Sequence, residues 1–352
     1  MRALQNFALC LVLPLAFTGC NGKPYNFFNG AYRYNPNNID VEKLIGEPVD
    51  IDILGFKFLW IEDTLLLVSS LQDPQKLISV YHVRDLRPLY KGLILRGRGP
   101  NEFLEASFVS SYTDLNGIKI WLSVNDKQKL LCVDLTRSII DKKLIIIKEI
   151  DLSQLDDSFA LLEIFSQNDT SIVLGRIYNN MQISMYNPIS HKETPVGWLY
   201  SEEIGSRHDL PDLSAGFYYD AQKSILVSGM AFFDQVNFYH LIHADSSFSV
   251  STAKKATQYH LVRQVEERER PLYYTGPAPA DDMLIFGYHN GKNRYEYESP
   301  DNNFLHIFNW NGKLKRVILL DRPFYGEAFD KHSGYLYGID SETQDILKYK
   351  IR

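Results

Sequence analysis

Cysteine is scarce in this chain. Three occur among 352 residues, at positions 10, 20 and 132, too few for a disulfide framework or a cysteine metal cluster. Concentrated positive charge is also missing. Lys and Arg number 37 against 43 Asp and Glu, a formal net charge of −6, and no basic block stands out. Neutralising a phosphate backbone takes clustered cations, so no nucleic-acid partner is expected. Beyond residue 17 no apolar run approaches the ~18 residues that span a bilayer. Helical periodicity is scarce too: residues 261–270 read as a short helix with a solvated, ion-paired face, and residues 41–45 as a turn.

Catalytic signatures are absent in the same way. There is no Gly-x-Ser-x-Gly elbow and no His-Glu-x-x-His pair. His240 and His243 read as one strand, where positions i and i+3 face opposite sides and cannot share an ion. Residues 114–117 lack the downstream Glu of a calcium loop and read as a hairpin. Gly97 and Gly99 are followed by no Gly-Lys-Ser/Thr, so a phosphate loop is not indicated. Cys132, set in Leu130-Leu131-Cys132-Val133, reads as a buried strand residue.

What the sequence has instead is a repeat. An aromatic-rich strand, a polar turn, a strongly apolar strand and a third strand recur along the chain. The apolar strands align without gaps at residues 64–70, 117–123, 171–177, 224–230, 282–288 and 334–340, in steps of 53, 54, 53, 58 and 52 residues. Turns such as Asn116-Gly117 and Ser333-Gly334 supply the backbone angles of tight hairpins. Third strands follow, among them residues 78–81, 130–133 and 238–242. Four short antiparallel strands per ~50 residues define a propeller blade, whereas a β-sandwich does not require so even a step. The expectation is an all-β, six-bladed β-propeller. The last copy ends after three strands, so its outer strand must come from the N-terminal side, from residues 47–54 or 39–44.

The first residues read as an export signal: Arg2, an apolar run from Ala3 to Phe17, then small residues. Leu15-Ala16-Phe17-Thr18-Gly19-Cys20 resembles a bacterial lipobox, which implies a lipid-modified Cys20 as first mature residue. Acyl chains of this kind give stable anchoring at about 0.8 kcal/mol per buried methylene. The expected division is a signal peptide at 1–19, lipidated Cys20 and tether at 20–38, and one propeller at 39–352. No acidic cluster follows Cys20, which favours the periplasmic face of the outer membrane over the cell surface.

After the first repeat stand Gly97, Gly99, Pro100, Asn101, Glu102 and Phe103. With the lipobox and the six repeats, this stretch resembles the Gly-x-Gly-Pro-Gly-Glu-(Phe/Tyr) motif of TolB-like six-bladed propeller lipoproteins of anaerobic gut bacteria. Asn101 replaces the third glycine, and Asn tolerates left-handed backbone. The glycines are expected to permit a sharp crossover, Pro100 to stiffen it, Glu102 to accept loop amides and Phe103 to anchor it in the core. The resemblance implies an anchored propeller and no established catalytic chemistry.

Loops from second to third strands share one end of a propeller with the loops that join blades, and by analogy that end is expected to bind the ligand. The candidates are Arg98, Glu102, Asn125, Arg176, Tyr178, Phe233, Tyr288, His289, Arg294, Tyr295 and Asp340. Rings beside Arg, Asn and Asp suit a glycan or a peptide. The expectation is therefore a non-catalytic envelope module that binds a glycan, a peptide or a partner protein and needs no cofactor. The alternative is a calcium-dependent, lactonase-like hydrolase with Glu102, Asn125 and Asp340 around the metal.

Overall fold

The structure, a computed structural model, describes residues 32–33, 39–51, 55–70, 72–155, 159–164, 171–176, 182–198, 215–243, 246–252, 262, 264–266, 269–292 and 303–352. The signal sequence, Cys20, Tyr178, Arg294, Tyr295 and, within the expected helix at 261–270, residues 261, 263, 267 and 268 lie outside them.

Six sheets form the molecule, each built on one sequence repeat. Blade 1 consists of Phe56–Glu62, Leu65–Ser70, Lys76–His82 and Pro88–Arg96. Blade 2 consists of Ser107–Asp114, Gly117–Val124, Lys129–Asp134 and Ile146–Asp151. Blade 3 runs from Phe159–Ile164 to Lys192–Trp198, and blade 4 from Ala215–Asp220 to Phe248–Ser251. Blade 5 runs from Leu272–Ala280 to Leu314–Leu320. Blade 6 contributes only Phe324–Asp330, Tyr335–Asp340 and Ile346–Lys350 from its own repeat. Within each blade neighbouring strands are antiparallel.

The missing outer strand is Glu47–Val49, paired antiparallel to Ile346–Lys350. This is the N-terminal closure that the truncated last repeat demands. Upstream, Val41–Leu44 adds a fifth strand parallel to the outer strand of blade 5. It replaces the turn expected at 41–45. Tyr32 and Arg33 pair in parallel with Val250 and Ser251 of blade 4. The N-terminal stretch thus lies along the outer edges of three successive blades, where it covers strand edges that would otherwise offer free N–H and C=O groups.

Second strands are apolar at nearly every position because they are covered on both faces. Leu66, Ile120, Leu174, Val227, Phe286 and Leu336 are all buried. The apolar clusters lie between blades rather than within them. One joins blades 1 and 2, and others join 2 to 3, 4 to 5, 5 to 6 and 6 to 1. Face-to-face stacking of this kind is what turns an even repeat into a ring.

Three local expectations need correction. A short helix, Leu135–Asp141, sits between the third and fourth strands of blade 2, capped by the Asp134 side chain, which accepts from the Arg137 amide. Its seven residues are too few to show amphipathic periodicity. The third strand of blade 4 is Val236–His240, so His243 falls in the turn beyond it. Asn101 does not adopt left-handed backbone, so its tolerance for that region is not used. Cys132 is buried as expected, and burial pushes its thiol upward.

Candidate functional site

The first strands of neighbouring blades touch one another around the ring, in blades 2 to 3, 3 to 4, 4 to 5, 5 to 6 and 6 to 1. They therefore line the axis. The ring has two ends. One carries the hairpins between first and second strands. The other carries the loops from second to third strands and the crossovers between blades.

The larger cavity opens at the hairpin end, with a volume of about 360 Å³. Its wall comes from first strands of five blades, including Trp60, Glu62, Ser111, Tyr218, Pro277, Glu327 and Phe329. Its rim carries Asp63, Asp220, Asp281, Trp310 and Lys331. Trp60 stacks on Phe108 of the next blade with ring centroids 3.8 Å apart. Its indole N–H is buried and has no acceptor among the described residues.

The carboxylates fall into two groups. At the rim each has a basic partner. His332 Nε2 is 2.8 Å from Asp63, Lys223 Nζ 2.5 Å from Asp220 and Arg352 2.7 Å from Asp281. Inside, Glu62 accepts from the Ser111 hydroxyl at 2.5 Å and Glu327 from the Thr275 hydroxyl at 2.6 Å. Among the described residues neither has a basic partner.

Glu327 reaches the axis because its strand bulges. The register of Phe324–Asp330 against Tyr335–Asp340 shifts between Tyr325 and Ala328, with Gly326 at φ +71°. A bulge of this kind re-aims one side chain. Gly287 leaves the space, since a Cβ there would sit 2.4 Å from Glu327 Oε1. Backbone amides of Gly287 and Glu327 also donate to the carboxylate, yet burial outweighs them and holds the carboxyl above the usual range. The side chain still presents part of its surface to the cavity.

A smaller cavity of about 140 Å³ lies at the crossover end. Tyr274, Thr275, His289, Tyr325 and Ser341 line it. Thr275 borders this space and Glu327 the larger one, so their hydrogen bond stands between the two.

The described candidates read from the sequence lie at the crossover end, each held within its own loop, strand or core cluster. Glu102 folds back on its own loop, where Oε2 accepts from the Gly99 amide at 2.9 Å, and Phe103 is buried against blades 1 and 2. The glycines of this loop are required by close approach. A Cβ on Gly97 would lie 1.9 Å from Glu102 Oε2, and one on Gly99 at 3.0 Å. Arg98 and Pro100 are exposed. Asn125 is exposed and accepts from the Ser123 hydroxyl at 2.7 Å. Asp340 is buried and caps its own turn, accepting from the amides of Glu342 and Thr343, with Arg322 at 3.4 Å. Phe233 is packed in the core. Tyr288 is buried in a stack on His306, centroids 3.9 Å apart, and His289 is buried beside the smaller cavity. Arg176 ends the strand Ile172–Arg176. Among the described residues no three His, Cys, Asp or Glu side chains are grouped to hold a metal.

The hairpin-end residues Trp60, Glu62, Tyr218, Trp310 and Glu327 carried no motif. The one local signal was an acid next to a glycine in an aromatic first strand, Tyr325-Gly326-Glu327.

Fold and cavity together define a six-bladed β-propeller with an acidic, aromatic axial chamber. No family model matches the chain, and no curated protein matches it. Solved structures do. A DUF4221-family protein of Bacteroides vulgatus superposes with a TM-score of 0.54 at 13% identity, over 89% of this chain and 97% of its own. A protein of Bacteroides fragilis described as exported superposes with a TM-score of 0.51 at 11% identity, over 93% and 99%. At these identities the likeness is one of fold.

Proposed function

We propose that the chain is a lipid-anchored propeller of the bacterial cell envelope that acts as a non-catalytic binding module, with its ligand in the axial cavity. The observation that carries this reading is the cavity. It is concave, walled by aromatic rings, and holds a few oriented polar groups, which is the composition of a ligand site. Export rests on the apolar N-terminal run and on the exported B. fragilis propeller of the same fold. Anchoring rests on Cys20 and its resemblance to a lipobox, as does kinship with the TolB-like lipoproteins. The ligand belongs to the glycans or peptides of the envelope, or is a segment of a partner protein.

Two experiments test it. Metabolic labelling with an alkyne fatty acid should mark the wild type and not Cys20→Ala, and an unlabelled wild type would refute anchoring. For binding, the soluble form is screened by tryptophan fluorescence against envelope glycans and peptides. Hits should be lost in Trp60→Ala and Trp310→Ala. A screen without hits, or hits indifferent to both substitutions, would refute the cavity as the site.

A further inference from the structure

The rim of the axial cavity is already furnished with cations. Lys223 lies over the Trp310 ring at 4.4 Å and pairs with Asp220. Arg352 lies over the Phe329 ring at 5.7 Å and pairs with Asp281. Each of these cations therefore sits on a ring and beside a carboxylate, an arrangement favoured by both the ring quadrupole and the charge. Among the described residues the interior repeats the ring and the carboxylate without a paired cation. Trp60 stands two residues from Glu62 in the first strand of blade 1, and Glu327 projects from the touching first strand of blade 6. Among the described residues the Ser111 hydroxyl donates to Glu62, and the Thr275 hydroxyl and the Gly287 and Glu327 amides donate to Glu327; none of these donors is a cation.

Keeping an acid in an enclosed site without a counter-charge is costly. Here the cost is built in: a bulge aims Glu327 inward, Gly287 clears its space and Thr275 orients it. Burial holds the Glu327 carboxyl above its ordinary range, as is common at sites that await a partner.

We infer that the axial cavity selects a ligand bearing a protonated amine, seated between Glu62 and Glu327 against the Trp60 ring. The inference rests on the reading of the cavity as the ligand site. An amine of this kind is carried either by an amino sugar or by a lysine side chain.

Calorimetry on the soluble form near neutral pH separates the cases. The probes are glucosamine and N-acetyl-lysine amide, each beside its uncharged twin, glucose and N-acetyl-norleucine amide. At least one amine should bind with one site per chain and at least about tenfold more tightly than its twin. The pair that shows the preference identifies the source. Glu62→Gln and Glu327→Gln, which keep the shape and the hydroxyl contacts, should each remove the preference while circular dichroism stays unchanged. Twins that bind as well as the amines would overturn the inference and leave the cavity as a binding site. Absence of binding by both amines would also overturn it; hits among neutral glycans in the fluorescence screen would then still support the cavity, and an empty screen would remove both readings.

Discussion

Replacing His306 by phenylalanine should flatten the acid side of the stability curve. His306 is 2% exposed in the third strand of blade 5, stacked on Tyr288 and 3.2 Å from the Tyr274 hydroxyl through Nδ1. Burial pushes its imidazole down to about 3, and pushes that of His289, 6% exposed, down to about 4. In the unfolded chain both should titrate near ~6.5. A base with a depressed folded pKa binds its proton first in the unfolded state. Stability is therefore intact above the unfolded value and falls as pH drops through it, until the folded value is reached. The limiting slope is about 1.4 kcal/mol per pH unit per histidine, so each should cost about 1.6 kcal/mol between pH 6.5 and pH 5. Glu327 acts oppositely, because its raised carboxyl takes up a proton in the folded state as pH falls. It offsets part of that loss as pH falls from its raised folded value towards the ordinary carboxyl range. Urea titrations at closely spaced pH values read the slope directly. His306→Phe should lose about 1 kcal/mol at neutral pH for the missing Tyr274 contact, and should lose close to half of the slope that the two histidines supply. A variant that keeps the full wild-type slope would refute the assignment of acid sensitivity to buried neutral imidazole.

Other substitutions probe the architecture. Gly97→Ala places a Cβ 1.9 Å from Glu102 Oε2, so it should displace the carboxylate and lower stability by about 1–3 kcal/mol. Glu102→Gln keeps an acceptor for the Gly99 amide and should cost less; equal losses in denaturant melts would show that the carboxylate is not what the glycines accommodate. Val49→Asp puts a charge into the seam between blades 6 and 1, where Val49 is 7% exposed, and should lower the melting temperature by several degrees. An unchanged melting temperature would mean that the closing strand contributes little to the ring.

Much of the fold was legible because its main signal is local. A second strand covered on both faces needs apolar residues at consecutive positions, and runs such as residues 64–68 repeat at an even step. The incomplete last repeat also called for a closing strand from residues 47–54 or 39–44, and Glu47–Val49 supplies it. The parallel additions were harder to read. Val41–Leu44 offers only exposed or half-buried side chains to the edge of blade 5, and its register depends on a strand far along the chain. The crossover motif was legible as structure, since Glu102 and Phe103 act within a few residues of their loop. The cavity was not, because five blades supply its wall with two to four residues each. An inward-pointing acid such as Glu327 looks in sequence like any other polar position of a first strand. Only the bulge at Gly326 distinguishes it.

The closing strand also sets an order of events. Val49 pairs with Ile346, so the seal joins segments almost 300 residues apart along the chain. Pairings over such separations are slow, because the loop must close before any contact rewards it. Until the last strand emerges, blade 6 cannot form and the nascent propeller is an open arc with unpaired edges at both ends. Any fragment that stops short of residue 346 stays in that state, exposed to proteases and to edge-to-edge association. The ring thus works as a checkpoint, closing only once residue 346 has been made.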